Sequence, residues 1–399
     1  MMPAKTIYVA PEVQDLPNCL RRFERMRPFV QCDDVRELDE DARREVDAIG
    51  QRRHGKDDFG DDAVFVFTAW EPDWEGRYFN FRAGRAKLAR EAIVCQDALE
   101  LNPIFGCPFR CAYCGFGRVV RVMLDVEQFM DRLPGLFEQD PDQQLYKFSN
   151  MTDLPPFEPE YDAVLPMVRL FAREESRYLM LFTKSKDVDF LLDAEHGGHT
   201  IVSWSLSGRT VSRDVDRGTA TMEERIEAMR RCQEAGYHVR ARISPIVPVV
   251  NWRDEYREMF ECLFAQVRPD VVTLEMLGWF DFEDLPQIIS QERLDPECYR
   301  AAEGAADDMR GKRKSPFPFE VRRQVYEFCI EQVEKLGGLA RASICHGTPR
   351  MWEELGPRLG MTPENFVCNC GPTSTELNPL MTAAPARARS AGGDDASVR

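Results

Sequence analysis

The chain has 399 residues, 43% of them hydrophobic and 10% aromatic, which suits one large catalytic domain with extensions at both ends. Its net charge of −16 argues against a protein that grips duplex DNA mainly through phosphate contacts, so nucleic acid is not the expected partner. The opening MMPAKTIYVAPEV lacks a signal-peptide core, no run of about 18 apolar residues occurs, and 13 cysteines suit a reducing compartment. A cytoplasmic location without a membrane span is therefore expected.

In chain order, residues 1–97 read as an N-terminal extension packing on the catalytic domain, with an acidic helix and loop between Val30 and Gly60. From Ala98 short apolar runs alternate with helical patterns, the signature of βα repeats on a parallel sheet. Strands are predicted at Leu99–Ile104, Gln144–Phe148, Tyr178–Phe182, Thr200–Ser205, His238–Ile243 and Val271–Met276. Helices are predicted at Val126–Phe137, Ala163–Ala172, Val188–Ala194, Met222–Ala235 and Trp252–Gln266. The expected fold is α/β, a partial (β/α)6 TIM-like barrel over residues 98–314. Ser315-Pro-Phe-Pro318 reads as a linker to a cysteine-containing module at 315–382, with a helix at Phe317–Leu336 and a disordered tail at 383–399.

The chemistry is announced by Cys107-Pro-Phe-Arg-Cys111-Ala-Tyr-Cys114. CxxxCxxC gathers three thiolates on one short loop and offers no fourth. A cubic iron–sulfur cluster held this way keeps one iron open, whereas a structural zinc site closes itself with four ligands. A zinc knuckle completed from elsewhere is the alternative. The loop follows the first predicted strand and so falls at the carboxyl-terminal rim of a parallel barrel, where ligands gather.

This motif, with aromatic Tyr113 before the last cysteine, resembles the radical S-adenosylmethionine superfamily. Further segments are similar to its spore photoproduct lyase family: Phe182-Thr-Lys-Ser-Lys-Asp-Val-Asp-Phe-Leu-Leu-Asp193, Trp204-Ser-Leu-Ser207, Gly218-Thr-Ala-Thr-Met-Glu-Glu-Arg-Ile-Glu-Ala228, Ser244-Pro-Ile246 and Trp252-Arg-Asp-Glu-Tyr256. The resemblance implies a 4Fe-4S cluster on Cys107, Cys111 and Cys114, S-adenosylmethionine on its open iron, and a reducing partner such as flavodoxin or ferredoxin. It also implies cofactor contacts from Tyr113, Thr152, Lys184, Ser205 and Arg225, although Arg225 reads equally as a solvated helix-face charge.

Two departures direct the expected function. The repair members of that family carry a hydrogen-donating cysteine after the second strand, where this chain has Asn150. An amide is a far poorer hydrogen-atom donor than a thiol. Beyond the barrel, Cys345-His346 and Cys368-Asn-Cys370 add metal-ligand chemistry. Cys345, Cys368 and Cys370 suit a second 4Fe-4S cluster with an open iron; a zinc site including His346 and a redox-active thiol stay open as alternatives. The leading expectation is hydrogen abstraction from a small, nucleoside-like molecule in specialised biosynthesis, the second cluster binding substrate or donating sulfur. Spore photoproduct lyase-type DNA repair is the runner-up, and a non-enzymatic zinc scaffold a third reading.

Overall fold

The computed structural model describes residues 2–50, 63–78, 93–96, 98–116, 119–311 and 315–382; the predicted tail lies outside them. Seven parallel strands carry the molecule: β1 (Ala98–Leu101), β2 (Leu145–Phe148), β3 (Tyr178–Thr183), β4 (Thr200–Leu206), β5 (His238–Ile246), β6 (Val271–Met276) and β7 (Arg341–Ile344). They pair in that order, and Glu75–Tyr78 runs antiparallel along the free edge of β1. YLMLFT in β3 is apolar almost throughout, and TIVSWSL in β4 alternates large apolar side chains with small hydroxyls, because both faces are buried, one on helices and one in the barrel interior. The curved sheet is a partial barrel of six βα units closed by a seventh strand. That strand comes from the predicted C-terminal module, and Ser315–Phe317 of the predicted linker is buried, with Pro318 half-buried.

The N-terminal residues form a second sheet in the order Val35–Glu37, Thr6–Val9, Val64–Thr68, Val119–Met123 and Ile104–Phe105. Its last two strands flank the cysteine motif, so the chain crosses between the sheets on either side of the loop. The predicted strand Leu99–Ile104 accordingly divides: Leu101 ends in the barrel and Ile104 begins in the other sheet. Pro103 between them has no N–H to offer a ladder. One continuous apolar core joins both sheets.

Local chemistry explains where helices differ from expectation. Pro134 restarts the helix at Leu133, so the predicted Val126–Phe137 helix becomes Val126–Asp131 and Leu133–Gln139. At Val188–Ala194 only a short 3-10 turn, Asp189–Leu191, forms. Just before it, Ser185 Oγ donates to Asp187 Oδ2 at 2.8 Å and accepts from the Asp187 N–H at 3.0 Å, local bonding that competes with helix. Met222–Glu234 starts at a capping box, Thr221 Oγ1 accepting from Glu224 N–H at 3.2 Å and Glu224 Oε2 from Thr221 N–H at 2.9 Å. This start fixes Arg225 in the first turn, facing inward.

Candidate functional site

The cysteine loop is held by its backbone. Gly106 has φ +92°, and a Cβ there would stand 2.2 Å from the Val119 carbonyl oxygen, so only glycine fits. Arg110 N–H donates to Arg217 O and Ala112 N–H to Val215 O, each at 2.8 Å, fastening the loop to the turn after β4. Cys107, Cys111 and Cys114 then face a cavity of about 320 Å³ at the carboxyl ends of the strands, of the size that holds a small molecule. Burial pushes all three thiols above their ordinary range.

The cavity is also lined by Tyr113, Asn150, Thr152, Asp153, Lys184 and Ser205, whereas Arg225, Cys345, Cys368 and Cys370 are not among its lining residues. Thr152 is buried with its hydroxyl unpartnered among the described residues. Asp153, unremarked in the sequence, accepts from Thr183 Oγ1 at 2.7 Å and Lys184 N–H at 2.6 Å, and burial raises its carboxyl to about 6.

Two placements depart from expectation. Lys184 lines the cavity, yet its ammonium donates to Asp216 Oδ2 at 2.8 Å and Ser244 O at 3.1 Å. It sits 5.7 Å from the centre of the Tyr113 ring. Arg225 is neither a solvated charge nor part of the cavity wall. It is wholly buried and donates to Asp216 Oδ2 at 3.0 Å, Ser205 O at 2.9 Å and Ala220 O at 2.8 Å. Its work is to hold the turn on which the cysteine loop rests. Asn150 does line the cavity, and its N–H donates to Asn102 Oδ1 at 2.9 Å.

The lining also contains residues to which sequence reasoning gave no role, Arg242, Glu275 and Trp279, together with Ser244 and His346. Glu275 accepts from Arg242, from Ser244 Oγ at 2.6 Å and from His346 Nδ1 at 2.5 Å. Burial alone would raise the Glu275 carboxyl, but Arg242 and His346 hold it well below the usual carboxylate range. A signal did exist. Arg242 and Glu275 are charges inside apolar strand runs, a pattern that marks inward-facing functional groups.

Parallel strands, a carboxyl-end cavity and a three-thiol loop on its rim make a partial barrel that resembles the radical S-adenosylmethionine type. Within it, the spore photoproduct lyase family model matches residues 98–287. The chain is 28% identical over 182 residues to the spore photoproduct lyase of Bacillus subtilis (strain 168), covering 43% of this chain and 53% of the relative. It is 25% identical over 205 residues to that of Geobacillus sp. (strain Y412MC61), covering 50% and 57%. The chain thus aligns with little more than half the length of these relatives.

Solved spore photoproduct lyase structures extend the likeness of fold. One variant with dinucleoside spore photoproduct superposes with TM-score 0.62 at 18% identity, covering 86% of this chain and 98% of its own. Another, with bound AdoMet and the same dinucleoside, gives 0.60 at 17% identity over the same shares. The chain resembles this family in sequence at its centre and in fold throughout most of its length. No helix among the described residues is long and apolar enough to cross a membrane.

Proposed function

We propose that the protein is a radical S-adenosylmethionine enzyme of the spore photoproduct lyase type. The observation that carries this reading is the placement of Cys107, Cys111 and Cys114 on one wall of the rim cavity, soft sulfur donors three in number. They fit a 4Fe-4S cluster, and the unpartnered Thr152 hydroxyl and Ser205 beside them offer hydrogen bonds to S-adenosylmethionine. When bound, the pair supplies a 5'-deoxyadenosyl radical, which abstracts hydrogen from unactivated carbon. Tyr113 and Phe116 on the cavity wall help exclude water, Lys184 and Arg225 fix the supporting turn through Asp216, and Arg242, Glu275 and His346 form a charged floor that orients a polar substrate. A flavodoxin or ferredoxin is the proposed electron source.

For the substrate, the relatives reverse the order expected from sequence. Structures carrying dinucleoside spore photoproduct favour a thymine-derived DNA lesion over a specialised metabolite. A small nucleoside-like molecule stays as a second reading on one observation: Asn150 lines the cavity where the repair thiol is expected. Reduced, reconstituted protein incubated with S-adenosylmethionine should release 5'-deoxyadenosine, and should convert dinucleoside spore photoproduct to thymidine units. Release without conversion would favour the second reading; no release under strong reductant with either substrate class would end both.

A further inference from the structure

Behind the cavity floor the fold assembles a second group of thiols, one more than the sequence suggested. Cys345 directly follows β7, and the segment 93–96 runs beside it, Val94 N–H donating to Gly347 O at 2.7 Å. This brings in Cys95, whose neighbourhood in sequence carries no motif. The His346 ring lies beside both Cys95 and Cys345. Cys368 and Cys370 arrive on a third segment, next to each other and to that pair. Gln96 Nε2 donates to Phe366 O at 2.5 Å, tying that segment to the one bearing Cys95. Arg240 donates to Asn369 O at 2.8 Å and Ser374 O at 2.6 Å, fastening it to the barrel. Cys370 and Phe182 both pack against the buried cluster of Leu145, Tyr178, Met180 and Ile201.

The surroundings favour an anionic ligand. Arg242 Nη2 lies 3.8 Å from Cys345 Sγ, and Lys147 and Arg242 stand 4.8 Å and 5.8 Å from the centre of the Phe182 ring, so two cations border this group of thiols. Asn369, between the last two cysteines, is 2% exposed with neither its amide oxygen nor nitrogen partnered among the described residues. A lone divalent ion fits less well. Among the described residues, three or more ligand atoms all within 4.8 Å of one another occur only at Glu275, Cys345 and His346. Glu275 is already satisfied by Arg242, Ser244 and His346, and Arg242 would repel a cation. No three of the four thiols lie within that distance of one another, a wider spread than one tetrahedral ion at about 2.3 Å per bond requires. The triad on the rim shares that open spacing.

We infer that Cys95, Cys345, Cys368 and Cys370 ligate a second 4Fe-4S cluster, fully coordinated by cysteine and separated from the cavity by Phe182, Arg242 and His346. With Cys95 included no iron is left open. The cluster then has no vacant position for a substrate or a labile sulfur, and its role is to anchor three chain segments and to carry charge behind the site. This inference is independent of the radical reading, because it is read by iron and not by turnover.

The test is anaerobic reconstitution followed by iron, sulfide and zinc counts. Protein with all three of Cys107, Cys111 and Cys114 changed to Ala should retain about four iron and four sulfide per chain, and the Cys95, Cys345, Cys368, Cys370→Ala protein should fall from about eight iron to about four. The second variant's remaining cluster also shows that it folds. An iron count near four in the wild type that the second variant leaves unchanged would overturn the inference, as would one zinc without sulfide in the triad-free protein. In the triad-free protein, mild oxidation should leave the four-iron form intact, and adding Cys95→Ser should convert it to a three-iron form with its own paramagnetic signal. A triad-free protein that already yields the three-iron form would remove Cys95 from the ligand set.

Discussion

Lys184 Nζ stands 2.8 Å from Asp216 Oδ2, and the same oxygen receives Arg225 at 3.0 Å and Ser207 Oγ at 3.1 Å. One buried carboxylate therefore joins the rim of β3, the end of β4 and the turn carrying the cysteine loop. Burial works against its charge, yet the two cations hold Asp216 below the ordinary aspartate range. A depressed folded-state value means stability that is present above about pH 4, the unfolded aspartate value, and lost as pH falls further. Asp216→Asn leaves Lys184 and Arg225 without their counter-charge and should cost about 3–5 kcal/mol at neutral pH. Denaturant titration of the apoprotein should show the gap to wild type narrowing below about pH 4; a gap independent of pH would refute the role of its charge.

Gly106 makes a second prediction. A methyl group 2.2 Å from the Val119 carbonyl oxygen, on a backbone at φ +92°, cannot be absorbed by a side-chain shift because the obstacle is main chain. Gly106→Ala should cost about 1–3 kcal/mol and displace the loop. Iron bound by the triad, counted in protein lacking the four thiols behind the floor, should fall with it. Full iron retention would show that the loop has room to move.

How much of this was legible beforehand depends on range along the chain. The triad was readable because its three ligands lie within eight consecutive residues, and six strands were readable because burial on both faces leaves short runs rich in apolar residues. Trp252–Gln266 matches its predicted bounds, and β7 went unread because its short RASI offers little beyond four residues. Asp216 looks like any loop aspartate until Arg225 folds under it. Cys95 has no local pattern at all; only the chain's return through β7 and the 366–371 segment gives it partners. Arg242 and Glu275 were within reach of a reading that asked why strands so apolar contain charge.

Arg242 and Glu275 form the floor of the cavity, so changing them should act on substrate and not on the cofactor side. Arg242→Met removes a charge-assisted partner worth about 1.5–3 kcal/mol, a loss of roughly ten- to a hundredfold in kcat/KM. Uncoupled release of 5'-deoxyadenosine should stay near the wild-type rate, since Cys107, Thr152 and Ser205 are untouched. A parallel fall in both quantities would place Arg242 on the cofactor side instead.

Asn150 offers the sharpest separation of the two substrate readings. Its side chain lines the same cavity as the triad, and Asn150→Cys sets an S–H, a good hydrogen-atom donor, where an amide now stands. The backbone at this point is fixed by the Asn102 side-chain oxygen accepting from the Asn150 N–H, a bond the substitution leaves alone, so the thiol should occupy the present site. If the protein handles dinucleoside spore photoproduct, the variant should raise the fraction of turnovers that end in intact thymine and lower the side products that form when the product radical is quenched by adventitious donors. Product analysis by mass spectrometry in deuterated buffer reads this directly, because an exchangeable thiol delivers deuterium to the thymine methyl. An unchanged product ratio, with hydrogen abstraction still occurring, would count against the lesion as the natural substrate and in favour of a smaller nucleoside-like molecule.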